Sequence, residues 1–436
     1  MAGHIQDRWF KTKTDTEGKP VLNGKGKPVQ ERTDRYGKGM RYRARYIGPD
    51  GSEKSQSFPD GQKRLAEDWL TNIKKDMADG TYADPGAAKK TFGQYAEEWM
   101  SSQGGEVTTR ESTRTCIRKH SIPYLGSRPL NSFRPQHIRA WLAELEKNVE
   151  SSSYRAAIFR CVSTVLSAAV DDGYIRSNPC RARSVRAPRA TSGRVRPWLP
   201  ETARLVRKGL PERYQAMVDL AGGAGMRQGE VFGLAVEDID AEGGWLHVRC
   251  QVKQAGSALM FGPPKGGKER DIPLSEGLGE RLAEHCRRFA PQPVTLPWQT
   301  PDGAEVTRKL VFLRDGKPLA VHRNVFNASV WKPALVGAGL LLDEKDEWGR
   351  YPAAREHGMH ALRHMYASVL LDAGENIKAL ASYLGHHDPA LTLRIYAHLM
   401  PSSEHRARRA VDGAIFGSHG PETAQSPEGS SGDVAE

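Results

Sequence analysis

Apolar residues recur at intervals of three and four along residues 91–180, and this spacing predicts helices that bury one face. Thr91 is placed to cap the first helix and Gly173 to end the last one. The positions predicted to face the core are Phe92, Tyr95, Ala96, Trp99, Ile158, Cys161, Val162, Val165, Leu166 and Ala169. The pattern therefore indicates an all-α domain at 91–180.

Residues 1–90 are more polar, and part of this region has a two-residue period. Within 40–58, apolar and arginine residues alternate before a Gly-Pro-Asp-Gly turn, which predicts a β-hairpin with Tyr42, Ala44 and Tyr46 on its inner face. The helix predicted to follow would bury Leu65, Trp69, Ile73 and Met77. Residues 12–39 contain few apolar side chains and are predicted to be flexible. A small basic sheet backed by one helix suits DNA binding, and a solvated accessory domain is the alternative.

Residues 198–416 mix both periods. Leu246, Val248, Cys250 and Val252 alternate with polar residues as in a half-buried strand, and helical stretches flank them. The overall prediction is a multidomain fold. It has a small β-sheet plus helix N-terminal domain (1–90), an all-α domain (91–180) and a mixed α+β, mainly α, domain (198–416). Residues 417–436 are predicted to be a disordered tail, and no internal repeat is expected.

The charge of the chain indicates a polyanionic partner. The formal net charge is +12 and the isoelectric point is about 9.4, which favours nucleic acid. The predicted linker, 181–197, has six arginines and no acidic residue, so we expect it to follow a phosphate backbone, unless it only solubilises the chain. The sequence has no long apolar run, no apolar leader and no paired cysteines, and a cytoplasmic protein with reduced thiols is therefore expected.

The stretch His-Ala-Leu-Arg-His-Met-Tyr-Ala-Ser at 360–368 combines an apolar helical face with titratable groups. Its helical spacing predicts a buried face of Leu362, Met365, Tyr366, Val369 and Leu370. His360, Arg363 and His364 would share the opposite face. This face is either a solvated basic surface or part of a reactive site.

Three further segments carry candidate chemistry. Arg227 and Glu230 stand three residues apart where a helix is predicted to begin, and Glu230 is expected to orient Arg227. Lys265, or less favourably Lys268, lies on a glycine-rich turn between strands. A helix predicted to end at Gly385 is followed by His386 and, ten residues later, by Tyr396.

Together these segments resemble the motifs of the tyrosine recombinase (phage integrase) family. Gly225-Met226-Arg227 with Glu230 is similar to the family's first arginine motif, and Lys265 to its hairpin lysine. The His-x-x-Arg, Leu-Gly-His and Tyr-x-His motifs match, in that order, His360 with Arg363, Leu384 to His386, and Tyr396 with His398. The matches occur in the family's order over about 170 residues. The helical block also resembles the family's core-site-binding domain, and residues 1–90 resemble, less closely, its arm-site-binding domain.

The resemblance implies a reaction and a role for each residue. Tyr396 would attack a phosphodiester and form a 3′-phosphotyrosine, while Arg227 and Arg363 stabilise the charge. Lys265 would act as general acid, His360 would transfer a proton, and His386 would hydrogen-bond the phosphate. Nearby cations and a histidine acceptor are expected to favour the phenolate of Tyr396. No metal, cofactor or ATP would be needed.

The partners implied are double-stranded DNA at core and arm sites, three further copies of the chain in a homotetramer, a DNA-bending host protein and an excision factor. Two sequential strand exchanges through a four-way (Holliday) junction would integrate or excise a phage or other mobile element. A helix at 402–416 would dock on a neighbouring protomer, and a nucleoid-associated location in a bacterial host would follow.

Other interpretations remain open at the level of sequence. A type IB topoisomerase uses the same chemistry without a specific site, and a regulator derived from an integrase would only bind DNA. The histidines could instead bind a metal, with His387 and His398 joining His360, His364 and His386, although no acidic or cysteine ligand completes a known spacing. Tyr396 could also be a buried core aromatic.

Overall fold

The computed structural model describes residues 3–49, 51–79, 82, 90–190, 196–386, 388–397, 408, 411, 412 and 415. The chain forms two compact units, Met1–Ser192 and Gly193–Glu436. Among the described helices, none combines the length and apolar character needed to cross a membrane. The C-terminal segments for which a docking helix and a disordered tail were predicted lie almost entirely outside the described residues.

The first unit begins with five strands and one helix. They are β1 (Gly3–Asp7), β2 (Phe10–Thr12), β3 (Gln30–Arg32), β4 (Tyr42–Ile47), β5 (Glu53–Phe58) and α1 (Lys63–Ala78). Strands β1, β4 and β5 form an antiparallel sheet in that order, and the predicted β4–β5 hairpin is confirmed. Tyr42, Ala44 and Tyr46 are buried as predicted, because alternate residues of a strand face the same side.

Helix α1 covers the sheet with most of the predicted face, since Ile73 is buried and Trp69 and Met77 pack, partly buried, against the core. Ala66, Leu70 and Ile73 are buried, whereas Leu65 is 53% exposed. Neighbouring residues of a helix point about 100° apart, so a stripe that starts one residue too early leaves its first member in solvent. Sequence spacing identified the helix and three of its four predicted core residues, but it placed the first of them, Leu65, on the wrong side.

The segment between β1 and β4 was expected to be flexible and without a repeat, but it contains two hydrogen-bonded turns of similar sequence. Two similar stretches, 15–21 and 23–29, end in the same Gly-Lys-Pro-Val sequence. In each, the first side chain, Asp15 or Asn23, accepts a hydrogen bond from the backbone N–H of the lysine four residues later, at 2.8 and 3.0 Å. Backbone pairing from β2–β3 continues through both turns. Local side-chain-to-backbone hydrogen bonds thus order a segment that has almost no core.

The rest of the first unit is helical, as predicted. Its helices are α2 (Phe92–Ser102), α3 (Val107–His120), α4 (Ile122–Leu125), α5 (Pro135–Asn148) and α6 (Ser152–Asp171). The Thr91 hydroxyl caps α2 by accepting the Gln94 N–H at 3.3 Å, and Gly173 follows α6 with a φ of +74°. Of the residues predicted for the core, only Trp99 and Cys161 are partly exposed. The described part of the predicted linker is irregular.

The second unit surrounds one hydrophobic core with helices and short strands. The helices are α7 (Pro200–Gly209), α8 (Glu212–Gly223), α9 (Gln228–Phe232), α10 (Glu276–Arg288), α11 (Arg323–Phe326), α12 (Lys332–Gly337), α13 (His360–Asp372), α14 (Ile377–Leu384) and α15 (Pro389–Tyr396). The strands are β6 (Ile239–Asp240), β7 (Trp245–Val248), β8 (Gln251–Ala255), β9 (Ala258–Gly262), β10 (Arg270–Pro273), β11 (Gln292–Pro297) and β12 (Glu305–Leu310).

Three small antiparallel sheets pack against these helices. Strand β7 lies between β10 and β6, β8 pairs with β9, and β11 pairs with β12. The single strand predicted around Leu246 is divided between β7 and β8, yet its four alternating apolar residues are all buried as predicted. The β11–β12 hairpin was not predicted from the sequence.

Candidate active site

Helix α13 does not present its titratable residues on one open face. Arg363 is only 1% exposed, His364 is half-buried, and His360 is exposed. Val369, predicted to be buried, is 52% exposed. Helix α13 packs against both α8 and α14, so the side that was expected to face solvent is largely covered by protein. Leu362 and Tyr366 are buried as predicted.

The C-terminal end of α14 holds three arginines through successive backbone carbonyls. Arg270 Nε donates to Tyr383 O at 2.7 Å, Arg363 Nη2 donates to Leu384 O, and Arg227 Nη2 donates to Gly385 O at 3.2 Å. The last carbonyls of a helix lack partners within it and form its negative pole, so cations are stabilised there. One helix end thereby gathers residues from β10, α13 and the start of α9.

Glu230 lies beneath this group and is completely buried. Its two oxygens accept from Arg270 Nη1 and Nη2 at 3.0 and 2.6 Å, and from Arg227 Nη1 at 2.9 Å. Burial alone would raise the pKa of Glu230, but the hydrogen bonds and charges of Arg270 and Arg227 overcome it and lower that pKa to about 2. The contact expected between Glu230 and Arg227 is present, and Arg270 is its second partner.

Two glycines let the backbone approach these arginines. Gly225 has a φ of +63°, and a Cβ there would stand 2.4 Å from the ring of Tyr366. Its carbonyl accepts from Arg363 Nη1 at 2.7 Å. Gly385 has a φ of +61° and ends α14 as predicted, and a Cβ there would meet Arg270 Cδ at 2.9 Å. Both sites therefore require glycine for conformation and for space.

Tyr396, at the end of α15, is 1% exposed, and its hydroxyl lies 2.7 Å from His364 Nδ1. The His360 ring packs edge-on against His364, with centroids 4.6 Å apart. Burial raises the pKa of Tyr396 to about 12, although the charges of Arg363 and Arg227 act to lower it. The two arginines thus favour the phenolate as expected, but in the DNA-free protein burial outweighs them and the net pKa is raised.

His386 follows α14, and its Nδ1 lies 2.7 Å from Thr392 Oγ1 of α15. Desolvation by the surrounding protein, followed by the nearby cations, lowers the pKa of His360, His364 and His386 to about 4. The pKa of His360 is lowered in this way although the residue is exposed. All three imidazoles are thus neutral at pH 7 and can accept or donate hydrogen bonds. The geometry brings together a phenol, three neutral imidazoles and three arginines.

The chain is similar to known proteins over most of its length. The profile of the phage integrase family matches residues 201–403, and that of its N-terminal SAM-like domain matches residues 91–154. A putative prophage phiRv2 integrase of Mycobacterium tuberculosis is 28% identical over 366 residues, which are 82% of this chain and 88% of that protein.

The chain belongs to the phage integrase family of tyrosine recombinases.

Two solved structures show the same fold. The Tn1549 transposon integrase in complex with transposon right end DNA superposes with a TM-score of 0.59 at 20% identity, covering 73% of this chain and 98% of that one. A lambda integrase tetramer bound to a Holliday junction gives a TM-score of 0.52 at 16% identity, covering 85% and 97%. The activity of this recombinase is accordingly site-specific DNA recombination.

Lys265 is the one predicted site residue that stands apart. It is exposed in a turn closed by a hydrogen bond from Gly267 N to Pro264 O at 2.9 Å. The turn joins β9 to β10, which belong to different sheets, so it is not the tip of a hairpin as the family motif implied. In the part of the recombinase that is described, neither Lys265 nor Lys268 makes a hydrogen bond or ion pair with the other predicted site residues.

Three contributors to the site escaped the sequence analysis. Arg270 and Thr392 were not singled out, and His364 was placed on a face with His360 and Arg363 but given no part in the implied reaction. Arg270 alternates with Ile272 on the buried face of β10, and a cation at an inward strand position is a signal that could have been noticed. The contact of Thr392 with His386 depends on how α15 meets the end of α14, and that of His364 with Tyr396 depends on how α15 meets α13. Spacing reveals neither.

His387 and His398, invoked for a metal site, lie outside the described residues. Among the residues that the structure describes, no three His, Cys, Asp or Glu side chains are grouped as metal ligands.

Proposed function

We propose that this recombinase is the integrase of a phage or other mobile element and that it cleaves DNA through Tyr396. The observation that carries the assignment is the convergence of distant motifs around one buried phenol. Tyr396 and His386 come from the C-terminal elements, Arg363 from α13 and Arg227 from the start of α9. A core aromatic would not require two arginines and an imidazole as close neighbours.

The two arginines are the groups proposed to bind the scissile phosphate. Each uses part of its guanidinium on backbone carbonyls, and Arg227 also uses Nη1 on Glu230. Such contacts fix the planar cations before substrate arrives, and fixed charges stabilise developing charge better than mobile ones. Removing one donor of this kind costs on the order of 10²–10³ in rate. His386, positioned by Thr392, would donate a further hydrogen bond to a phosphate oxygen.

In the proposed reaction, the Tyr396 oxygen attacks phosphorus and the 5′ oxygen leaves. Lys265, with Lys268 as the alternative, protonates that leaving oxygen once the β9–β10 turn meets the DNA, and His360 takes part in proton transfer beside the phosphate. The 3′-phosphotyrosine conserves the energy of the phosphodiester, so a 5′-hydroxyl of another strand can displace the tyrosine without ATP. None of these steps requires a metal or an organic cofactor.

The proposed partners are double-stranded DNA and three further copies of the chain. The net charge of +12 suits DNA, and the lambda relative is a tetramer on a Holliday junction. The helical domain and the second unit would hold the core site, while the N-terminal sheet would hold arm sites. A DNA-bending host protein and an excision factor complete the proposal, because arm and core sites must be brought together.

Trapping of the covalent intermediate tests the proposal. The purified chain is incubated with DNA spanning the ends of its element, nicked near the core so that religation fails, and SDS-stable adducts are mapped. We expect an adduct at one fixed position that disappears in Tyr396→Phe but persists in Tyr351→Phe, which also removes one tyrosine hydroxyl from the second unit.

The other outcomes favour other functions. Adducts scattered over unrelated DNA would indicate a topoisomerase. Tight, site-specific binding with no adduct on any nicked substrate would indicate a regulator that only holds DNA.

A further inference from the structure

Two histidines lie near the nucleophile, and only one of them contacts the Tyr396 hydroxyl. His364 Nδ1 is 2.7 Å from the Tyr396 hydroxyl. His360 packs edge-on against the His364 ring, at 4.6 Å between centroids, and no hydrogen bond joins it to Tyr396 among the described residues. His360, the histidine of the His-x-x-Arg motif, is therefore separated from the phenol by the His364 ring. His364, one helical turn later, contacts the phenol directly.

We infer that His364, rather than His360, is the base that accepts the Tyr396 proton during strand cleavage. The inference rests on the proposed function, since it concerns the same reaction. As the Tyr396 oxygen–phosphorus bond forms and the bond from phosphorus to the 5′ oxygen breaks, the phenolic proton moves to His364 Nδ1. The 5′ oxygen receives its proton from Lys265. On religation both transfers reverse, so atoms and charges balance in each direction.

The surroundings of the pair fit this role. Arg363 and His360 on α13, Arg227 before α9 and His386 after α14 are the charged and titratable groups that face it. Burial, and after it the charge of Arg363, lowers the pKa of His364 to about 4, so in the DNA-free protein the imidazole is neutral and free to accept. A phenol is a better donor than a neutral imidazole, which favours the arrangement O–H···Nδ1. A bound phosphate would offset the arginine charges and make the imidazolium acceptable once the proton arrives.

Because Tyr396 is buried, its hydroxyl needs a base in contact to become a nucleophile. The Tyr396 phenol retains its proton at neutral pH, so spontaneous ionisation supplies very little nucleophile. A base in contact removes the proton as the new bond forms, an effect usually worth about 10²–10⁴ in rate.

Single-turnover cleavage of the nicked core substrate, measured between about pH 5.5 and pH 9.5, tests the inference. In His364→Asn the amide reaches the Nδ1 position and keeps a hydrogen bond but cannot take a proton, whereas His364→Ala keeps neither. We expect both variants to cleave about 100-fold more slowly at pH 7. The deficit should shrink as pH rises, because hydroxide can replace the base. His360→Asn, the same change four residues earlier, should lower the rate without this pH dependence.

A substrate with sulfur in place of the 5′ bridging oxygen gives a second readout. A thiolate leaves without a general acid, so this substrate should rescue Lys265→Ala and leave His364→Ala slow. Melting temperature and core-DNA affinity of each variant show that folding and binding survive.

Three results would overturn the inference. They are near-normal cleavage by His364→Asn while His364→Ala is slow, a deficit that does not change with pH, or the pH-dependent deficit in His360→Asn instead. Failure of the unaltered chain to form any adduct would contradict the proposed function itself and remove the reaction that His364 would serve.

Discussion

Glu230 and Arg270 form the most deeply buried ion pair of the site and brace Arg227 from behind. Both side chains are nearly inaccessible, and Glu230 shares its oxygens between two guanidiniums. Charges removed from water are tolerated only when each is paired, so loss of one partner leaves an uncompensated charge. The carboxylate therefore does more than orient Arg227, because it also fixes β10 against the start of α9.

Replacement of Arg270 should consequently be costly. Arg270→Met keeps the aliphatic length and leaves Glu230 with one cation, and we expect it to lower the free energy of unfolding by about 3–5 kcal/mol. Urea denaturation measures this, and Arg270→Met combined with Glu230→Gln should recover part of the loss. Arg281→Met, which breaks an exposed ion pair with Asp219 (2.9 Å), should cost less than about 1 kcal/mol. Equal losses in the two single variants would contradict the argument.

The Glu230–Arg270 pair also makes the stability of the folded state depend on pH in the acid range. The pKa of Glu230 falls from an ordinary 4.5 to about 2, so the folded state binds fewer protons between these values than the unfolded state. The stability that the pair contributes is complete above about pH 4.5 and is lost as pH falls through 2.

At the scale of elements, the end of α14 organises the site, because three arginines converge on its last carbonyls. This depends on the left-handed turn at Gly385, which exposes those carbonyls. Gly385→Ala should lower the free energy of unfolding by about 1–2 kcal/mol for the φ alone, and by more for the contact with Arg270. Strand cleavage should fall at least about tenfold as the arginines shift.

Gly339→Ala is the matched control for that change. Gly339 has a φ of +70°, and nothing lies within 4 Å of its would-be Cβ, so only the conformational cost applies. Thermal unfolding and single-turnover cleavage of both variants separate the two effects. Normal cleavage by Gly385→Ala would show that the helix end does not hold the arginines in place.

The sequence predicts elements well where local chemistry decides them. Thr91 caps α2, Gly173 and Gly385 stop helices, and alternation buries Tyr42 and Leu246, because each effect is local. It predicts less where packing between distant segments decides. The exposure of Leu65 on α1, the burial of Arg363 and the β11–β12 hairpin each depend on which neighbour covers the element. The turns after Asp15 and Asn23 escaped because polarity was interpreted as a lack of structure.

For the candidate site, family motifs identified which residues to examine but not how they touch. Of the six predicted residues, Tyr396 supplies the phenol and four others lie around it or next to its neighbours, namely Arg227, His360, Arg363 and His386. Lys265 lies on a separate turn. The contact of Tyr396 with His364 instead of His360 results from the approach of α15 to α13. The spacing of residues within each helix carries no information about the distance between the two helices.

At the scale of the molecule, the chain carries candidate DNA-binding surfaces in both units. On β4, Arg43 and Arg45 lie on the opposite side from the buried Tyr42, Ala44 and Tyr46, so they mark the face of the sheet that does not pack on α1. If this face holds arm DNA while the rest of the chain holds the core site, each contact raises the effective concentration of the other. Recombination of complete sites should then depend on the face, whereas cleavage of a short core should not.

The full-length variant Arg43→Gln with Arg45→Gln tests this separation. We expect an unchanged adduct rate on a short core substrate and at least about tenfold less recombination between complete attachment sites. The salt dependence of arm-DNA binding should weaken by about 0.9 in logarithmic slope for each phosphate that the variant no longer neutralises. Arg64→Gln with Lys75→Gln, at two exposed positions of α1, removes the same number of charges from the same unit without altering the sheet and should leave recombination intact. Equal losses in the two variants would mean that total charge, and not this face, holds the second DNA segment. A parallel loss of core cleavage would place the sheet at the core site instead.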